Sequence, residues 1–254
     1  MDAASERDWP GAVEVLNEDG RSGIVLLCEH ASNHMPADYR NLGLDARHLQ
    51  RHIAWDIGAA EVTRRLSTQL DAPAFLSTYS RLLIDLNRPL GSEGSIPVRS
   101  EDTDIPGNSD IDAAERERRA AIMFTPFHDE VARHLDARRA AGRPARIVTI
   151  HSFTPVFLGQ KRPWHAGVLY DRAKPLGEAI LSGLRTDASL NVAANVPYVI
   201  SADADYAVPV HGDERGIEAV LVEIRQDLLA SDTGVEEWAA RMAVALAPLQ
   251  ETRT

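Results

Sequence analysis

The sequence predicts a three-layer α/β/α domain whose mixed, largely parallel β-sheet lies between two layers of helices. Three observations support this prediction. Strand-length apolar runs alternate along the chain with helix-length amphipathic segments. Residues 23–29 and 219–225 are mainly apolar without alternation, which is typical of strands covered on both faces. The 254 residues contain no low-complexity linker or internal repeat, so we expect one catalytic domain over residues 1–254.

The first half of the chain is expected to supply strands, one helix and a long loop. The strand over residues 23–29 runs into a polar turn that contains His30. Residues 45–70 have the periodicity of an amphipathic helix. The next segments predict a strand over 74–79, a strand that becomes a loop over 81–89, and a loop over 89–108. A loop of that length in a compact domain is commonly functional.

The second half begins with a long charged helix over residues 113–141, which Gly142 ends. The strand that follows, rich in β-branched side chains, starts at residue 146 and delivers His151 at its carboxyl end. The remaining segments predict a strand over 166–170, a helix over 175–184, a loop over 198–216, a strand over 219–225 and a helix over 235–246.

The composition excludes several classes of protein. A formal net charge of −11 argues against a nucleic-acid partner, which would need a basic face. No apolar run reaches membrane length and the first residues lack the features of a signal peptide, so we expect a cytoplasmic protein without a membrane partner. Cys28 is the only cysteine, which excludes an intramolecular disulfide and a thiolate zinc site.

Polar side chains follow four of the predicted strands. They are Glu29 with His30, the segment from Asp85 to Arg88, His151 with Ser152, and Glu223 with Arg225. Ligands of open α/β sheets bind at the carboxyl ends of the strands, so we expect these groups to lie together. Zn²⁺ is bound by imidazole and carboxylate groups where thiolates are absent, and its catalytic sites keep a position for water. The pattern predicts a zinc hydrolase with a further carboxylate as general base.

Three motifs resemble those of the zinc carboxypeptidases and occur in the same order. Ile-Asp-Leu-Asn87-Arg88 is similar to the element that holds the substrate's terminal carboxylate in that family. Ile-His151-Ser-Phe is similar to the element whose histidine binds zinc, and Val-Glu223-Ile-Arg to the element whose glutamate is the general base.

A longer set of motifs resembles the N-formylglutamate amidohydrolase family. The set comprises Glu29-His-Ala-Ser-Asn, His52-Ile-Ala-Trp-Asp56-Ile-Gly, Ser80-Arg-Leu-Leu-Ile-Asp-Leu-Asn-Arg-Pro and Val222-Glu-Ile-Arg-Gln-Asp-Leu. The resemblance implies a zinc-dependent exopeptidase fold and one zinc ion per chain. It also implies hydrolysis of a small molecule, N-formyl-L-glutamate, to formate and L-glutamate, a late step in one route of histidine degradation.

The expected zinc ligands are His30, Asp56 and His151. Carboxypeptidases take their third ligand from His-x-x-Glu, but Asn33 stands at that spacing here, and a neutral amide binds zinc weakly. The missing oxygen has three candidates, Glu29, Asp56 and Asp85. We prefer Asp56, because its segment is expected to begin a helix whose first turn points into the site.

The other site residues are expected to bind substrate or to act on it. Glu223 is the expected general base, and Arg81 or His211 is expected to stabilise the oxyanion. A guanidinium matches a carboxylate bidentately. Asn87 and Arg88 are therefore expected to bind the α-carboxylate, and Arg225 or Arg215 the side-chain carboxylate.

Two other functions stay open at this point. A zinc carboxypeptidase-like enzyme or a cell-wall peptide amide hydrolase would use similar motifs. A catalytically inactive ligand-binding homologue would account for the missing carboxylate of His-x-x-Glu. The sequence does not determine the acyl group or the oligomeric state.

Overall fold

The computed structural model describes residues 8–250, and a seven-stranded sheet forms its centre. The strands of this sheet are β1 (Val13–Leu16), β2 (Ile24–Cys28), β3 (Ala74–Ser77), β6 (Arg146–Phe153), β9 (Ala166–Leu169), β10 (Val192–Ala194) and β11 (Ala219–Arg225). Two small hairpins lie outside it, β4 (Arg99–Ser100) with β5 (Thr103–Asp104), and β7 (Val156–Phe157) with β8 (Gln160–Lys161).

The sheet is mixed and largely parallel, as predicted. Its order is β1-β3-β2-β6-β11-β9-β10. The neighbours β3, β2, β6 and β11 are parallel to one another, while β1 is antiparallel to β3 and β9 is antiparallel to β11. Strands β1 and β10 were not predicted, because runs of three or four partly buried residues carry too little periodicity to be recognised.

Helices cover both faces of the sheet. They are α1 (Ala59–Leu70), α2 (Ala113–Arg119), α3 (Thr125–Ala140), α4 (Lys174–Leu184) and α5 (Asp232–Leu246). The first, fourth and fifth pack on one face, and α3 packs on the other. A hydrophobic core lies on each face of the sheet. In β2, Ile24 and Leu26 belong to the core beneath α1, α4 and α5, while Val25 and Leu27 belong to the core beneath α3, and all four are fully buried. Each such side chain contributes roughly 1.5–3 kcal/mol, which explains the apolar run.

The predicted helix over residues 45–70 begins only at Ala59, so the first part of that prediction is wrong. Residues 45–58 form turns and a short 3₁₀ helix (His48–Gln50). Gly58 precedes α1 with a φ of 81°, and a Cβ there would lie 2.4 Å from the Leu229 side chain. Asp56 therefore lies in the turn before the helix and not in the helix's first turn.

The strand predicted at the start of residues 81–89 is also wrong, since the segment forms turns. The Arg81 Nε–H donates to Asp85 Oδ2 at 2.9 Å. Residues four apart in an extended strand are separated by about 13 Å, so this pair requires a compact backbone.

The long helix predicted over residues 113–141 is present with one irregularity. A π-helical segment, Ala120–Phe124, joins α2 to α3, and α3 ends at Ala140. Within residues 8–250, no helix combines the length and the apolar character that a membrane span requires.

Candidate active site

A cavity of about 420 Å³ opens at the carboxyl ends of the central strands. His30 follows β2, His151 lies near the end of β6, and Glu223 is paired with His151 in the register of β11 on β6. Asp56, from the turn before α1, lines the same cavity. All four side chains are buried, with exposed fractions of 6% or less. The parallel strand ends thus bring together groups that are far apart in the sequence.

His30, Asp56 and His151 form a compact group of possible metal ligands. One ligand atom from each residue lies within 4.8 Å of the other two. The Nδ1 atoms of His30 and His151 are 3.4 and 2.8 Å from Asp56 Oδ2. Ligand atoms at about 2 Å from a tetrahedral zinc ion stand roughly 3.3 Å apart. The spacing of this group therefore fits a zinc ion.

Two further carboxylates fix the orientation of the two imidazoles. Glu29 Oε2 lies 3.0 Å from His151 Nε2, and Asp85 Oδ1 lies 2.7 Å from His30 Nε2. An ionised carboxylate only accepts hydrogen bonds, so each Nε2–H donates to its carboxylate, and Nδ1 is the nitrogen of each ring that faces Asp56. This arrangement is the one that histidine ligands of metal ions ordinarily have.

The electrostatics of the group favour a bound cation. Burial alone lowers the pKa of His151, but hydrogen bonds to Asp56 and Glu29 outweigh burial and hold that pKa well above its ordinary value. Burial opposes ionisation of Asp56 as well, yet the two histidines hold its pKa well below the usual range. The carboxylates thus favour a positive charge between the two imidazoles, and a divalent metal ion would supply it in place of the proton.

Arg81 braces the carboxylates of the site. Its Nε–H and one terminal N–H donate to Asp85 Oδ2 at 2.9 and 2.5 Å, and its other terminal nitrogen lies 3.4 Å from Asp56 Oδ1. Burial raises the pKa of Asp85, but the Arg81 guanidinium and His30 reverse this and hold that pKa well below its ordinary value. Arg81 also lines the cavity, so a ligand that enters the cavity would lie near its guanidinium.

Glu223 has a free oxygen beside the metal-ligand group. Its Oε2 is buried and has no hydrogen-bond partner among the described residues. Burial raises the pKa of its carboxyl to about 8. A buried polar atom without a partner in the protein is expected to meet a water or a ligand. The placement therefore suits a group that exchanges a proton with a molecule in the cavity.

Comparison with known proteins decides the family. The sequence profile of the N-formylglutamate amidohydrolase family matches residues 22–230. This chain belongs to that family. No curated protein is a significant match to it.

The solved structures that resemble this N-formylglutamate amidohydrolase family member include the following two. Gene product Atu2144 from Agrobacterium tumefaciens is 40% identical, with a TM-score of 0.90 and coverage of 97% of this chain and 98% of that one. The N-formylglutamate amidohydrolase from Ralstonia eutropha JMP134 is 16% identical, with a TM-score of 0.69 and coverage of 94% and 97%. The second comparison shows that the fold is shared along almost the whole of both chains.

The predicted α-carboxylate pair of this family member already contacts a carboxylate of the protein. Arg88 lies 3.1 Å from Asp205 Oδ1, and the Asn87 amide donates to the same oxygen at 3.4 Å. The Asn87 carbonyl oxygen accepts hydrogen bonds from the backbone N–H groups of Tyr206 and Ala207. Asn87, Arg88 and Asp205 all line the cavity. The pair therefore contacts a carboxylate inside the cavity, and its contact with a substrate carboxylate stays a prediction.

Neither arginine predicted for the side-chain carboxylate lines the cavity. Arg225 pairs with Asp227 at 2.7 Å, and Arg215 pairs with Asp136 at 2.6 Å. Arg215 lies in another cleft, which the residues before β6 and β11 line. Each side chain extends to a nearby aspartate, so the structure does not bring either arginine to the other site residues.

His211 lies in a buried histidine pair, and it does not line the cavity. The Leu86 carbonyl accepts from His128 Nε2 at 2.8 Å, so His128 Nδ1 is bare and accepts from His211 Nε2 at 2.9 Å. This chain of bonds fixes both rings in neutral forms. In this arrangement His211 donates to His128 and is not among the residues that line the cavity.

The histidine pair makes stability depend on pH. Burial lowers the pKa of His128 to about 4 and that of His211 to about 3. Below pH 6.5 the unfolded chain binds protons that the folded chain does not, so stability is complete above that pH and declines as pH falls. A histidine pKa near 4 corresponds to roughly 3 kcal/mol lost by pH 4. Urea unfolding of His128→Gln should show a smaller decline than the wild type, and an equal decline would contradict this origin.

Several residues at the cavity were not predicted from the sequence. Phe157, Tyr198 and Asp205 line it, and they come from the β7–β8 hairpin and the loop before His211. Glu29 and Asp85 were considered only as ligands, although each holds a histidine. Glu29 could have been recognised from its place beside His30 in a motif, whereas no local sequence pattern indicates Phe157, Tyr198 or Asp205.

Proposed function

We propose that this protein is a zinc-dependent amidohydrolase that cleaves N-formyl-L-glutamate to formate and L-glutamate, the reaction that serves histidine degradation. The observation that carries the proposal is the group of His30, Asp56 and His151 with the unpartnered oxygen of Glu223 in the same cavity. Membership of the family supports the amide bond of an N-acyl amino acid as the bond that is cleaved.

His30, Asp56 and His151 would hold the metal ion. Two imidazoles and a carboxylate, with no thiolate, form a ligand set that suits zinc. When bound, zinc polarises a carbonyl oxygen and lowers the pKa of water. Glu29 and Asp85 keep both histidines in the form that presents Nδ1 to the ion.

Glu223 is the proposed general base. It takes a proton from the water that attacks the formyl carbon and passes it to the amine nitrogen as the C–N bond breaks. The products are then formate and the free amino group of glutamate. Of the two candidates for stabilising the negative carbonyl oxygen, Arg81 fits better than His211, because Arg81 lines the cavity.

Arg88 and Asn87 are proposed to bind the α-carboxylate in exchange for Asp205. A substrate carboxylate carries the same charge and the same two oxygens as the Asp205 side chain that now contacts the pair. This exchange requires only that Asp205 turn aside when the substrate enters.

The acyl group is the variable that the test must address, because a cavity of about 420 Å³ has room for more than a formyl group. The experiment measures acid release from N-formyl-L-glutamate, N-acetyl-L-glutamate and a dipeptide. We expect the formyl compound to be cleaved about tenfold faster or more, since one methyl group changes specificity by this order. Faster cleavage of the dipeptide would support a peptidase and contradict the proposal.

A further inference from the structure

Arg162 stands against the wall of the proposed active site. It directly follows β8. Its guanidinium carbon lies 4.6 Å from the ring centre of Phe157, 4.8 Å from that of Tyr198 and 5.9 Å from that of Phe153. All three rings line the cavity. A guanidinium held over aromatic faces is oriented before a ligand arrives, so it loses less entropy on binding.

The positive charge of Arg162 has no carboxylate partner in residues 8–250. One terminal N–H donates to the Tyr198 hydroxyl at 2.9 Å, and no ion pair is formed. The two arginines that line the cavity differ, because Arg81 is paired with Asp85 and Arg88 with Asp205. Arg162 thus keeps several donors and an unneutralised charge for an anion near the cavity.

The position of Arg162 matches the more distant carboxylate of an acyl-glutamate. The α-carboxylate is attached next to the amide and is proposed to bind Arg88. Arg88 lies close to the metal-ligand group, because its neighbour Asn87 donates its backbone N–H to Asp85, which contacts His30. The carbon of the side-chain carboxylate lies three carbon–carbon bonds from the α-carbon, whereas that of the α-carboxylate lies one bond away. Tyr198, which Arg162 contacts, is 42% exposed, so this part of the wall lies toward solvent.

We propose that Arg162 binds the side-chain carboxylate of the substrate and sets the preference for an acidic amino acid. This inference rests on the proposed function, since it assumes that the cavity binds an N-acyl amino acid. It assigns to Arg162 the contact that the sequence predicted for Arg225 or Arg215, both of which are paired elsewhere.

The test compares kcat/KM for N-formyl-L-glutamate and N-formyl-L-glutamine, which differ in side-chain charge but hardly in size. The wild type should prefer the glutamate compound by about 10- to 100-fold, the range expected for a charge-assisted bidentate contact. Arg162→Met should lose this preference by lowering kcat/KM for formylglutamate by that factor. Its kcat/KM for formylglutamine should change less than about threefold, within ordinary surface effects.

Two further variants complete the design. Arg162→Lys keeps the positive charge but not the planar guanidinium with its paired N–H donors, so it should retain part of the preference for formylglutamate. If Arg162→Met does not fold, the kcat/KM ratio of Arg162→Lys tests the inference. Arg185→Met removes an exposed arginine at the end of α4 and should leave kcat/KM for both substrates unchanged.

Failure of the inference and failure of the proposed function give different results. If the wild type cleaves both compounds, and Arg162→Met lowers kcat/KM for both equally or for neither, the inference is overturned and the hydrolase proposal stands. If the zinc-loaded wild type releases formate from neither compound, the proposed function is overturned and the inference with it.

Discussion

Replacing Glu223 with glutamine is expected to lower kcat for formate release by about 10²–10⁴-fold, the usual contribution of a general base. Glutamine has the shape of glutamate but cannot take a proton from water. The fold should persist, because the buried Oε2 of Glu223 has no hydrogen-bond partner among the described residues and the substitution breaks no bond there. Zinc should also remain bound, since Glu223 is not among the three proposed ligands.

The matched control is Glu218→Gln. Glu218 immediately precedes β11, at the end of the sheet opposite the cavity, and its carboxylate pairs with Arg146 at 2.8 Å. The same chemical change there should leave kcat within about twofold, as is typical of surface substitutions. Retained turnover in Glu223→Gln, with zinc bound, would rule out Glu223 as the base.

Asp56→Asn is expected to cause the second large effect, a loss of zinc affinity of more than about 100-fold. A neutral amide is a weak zinc ligand, and the change also removes the charge that both histidine Nδ1 atoms face. Asp85→Asn makes the same chemical change at a residue that contacts the ligand His30, through Nε2, and not the ion itself. Its expected loss is about 10–100-fold, the usual effect of a residue that orients a ligand. Competition with a chromophoric chelator measures both.

The order of these two losses decides the third ligand. A larger loss in Asp85→Asn than in Asp56→Asn would assign the oxygen ligand to Asp85. Glu29→Gln should lose about as much zinc affinity as Asp85→Asn, because Glu29 orients the other histidine through His151 Nε2.

The central strands and the residues at their ends were predictable from the sequence. Strands β2 and β11 are covered on both faces, and this burial requires the continuous apolar runs that the sequence displays. Parallel strands end at one edge of the sheet, so His30, His151 and Glu223 were expected to meet there, and they do. Asp56 joins them as preferred, although from a turn and not from a helix.

The arginine contacts were not predictable, because they depend on tertiary pairing. Asp205 is 117 residues from Arg88, and no local pattern indicates that the two meet. A guanidinium in a motif also has several nearby carboxylates to choose from, and Arg225 pairs with Asp227 only two residues away. Arg162 carried no motif, and its position at the cavity follows from the β7–β8 hairpin and the rings around it.

The proposed function is tested by formate release from N-formyl-L-glutamate, measured with one equivalent of zinc and again after chelation. The proposed function predicts equal amounts of formate and glutamate, loss of the activity when the metal is removed, and recovery when zinc is returned. No formate from the zinc-loaded protein, or an unchanged rate after complete removal of the metal, would contradict it.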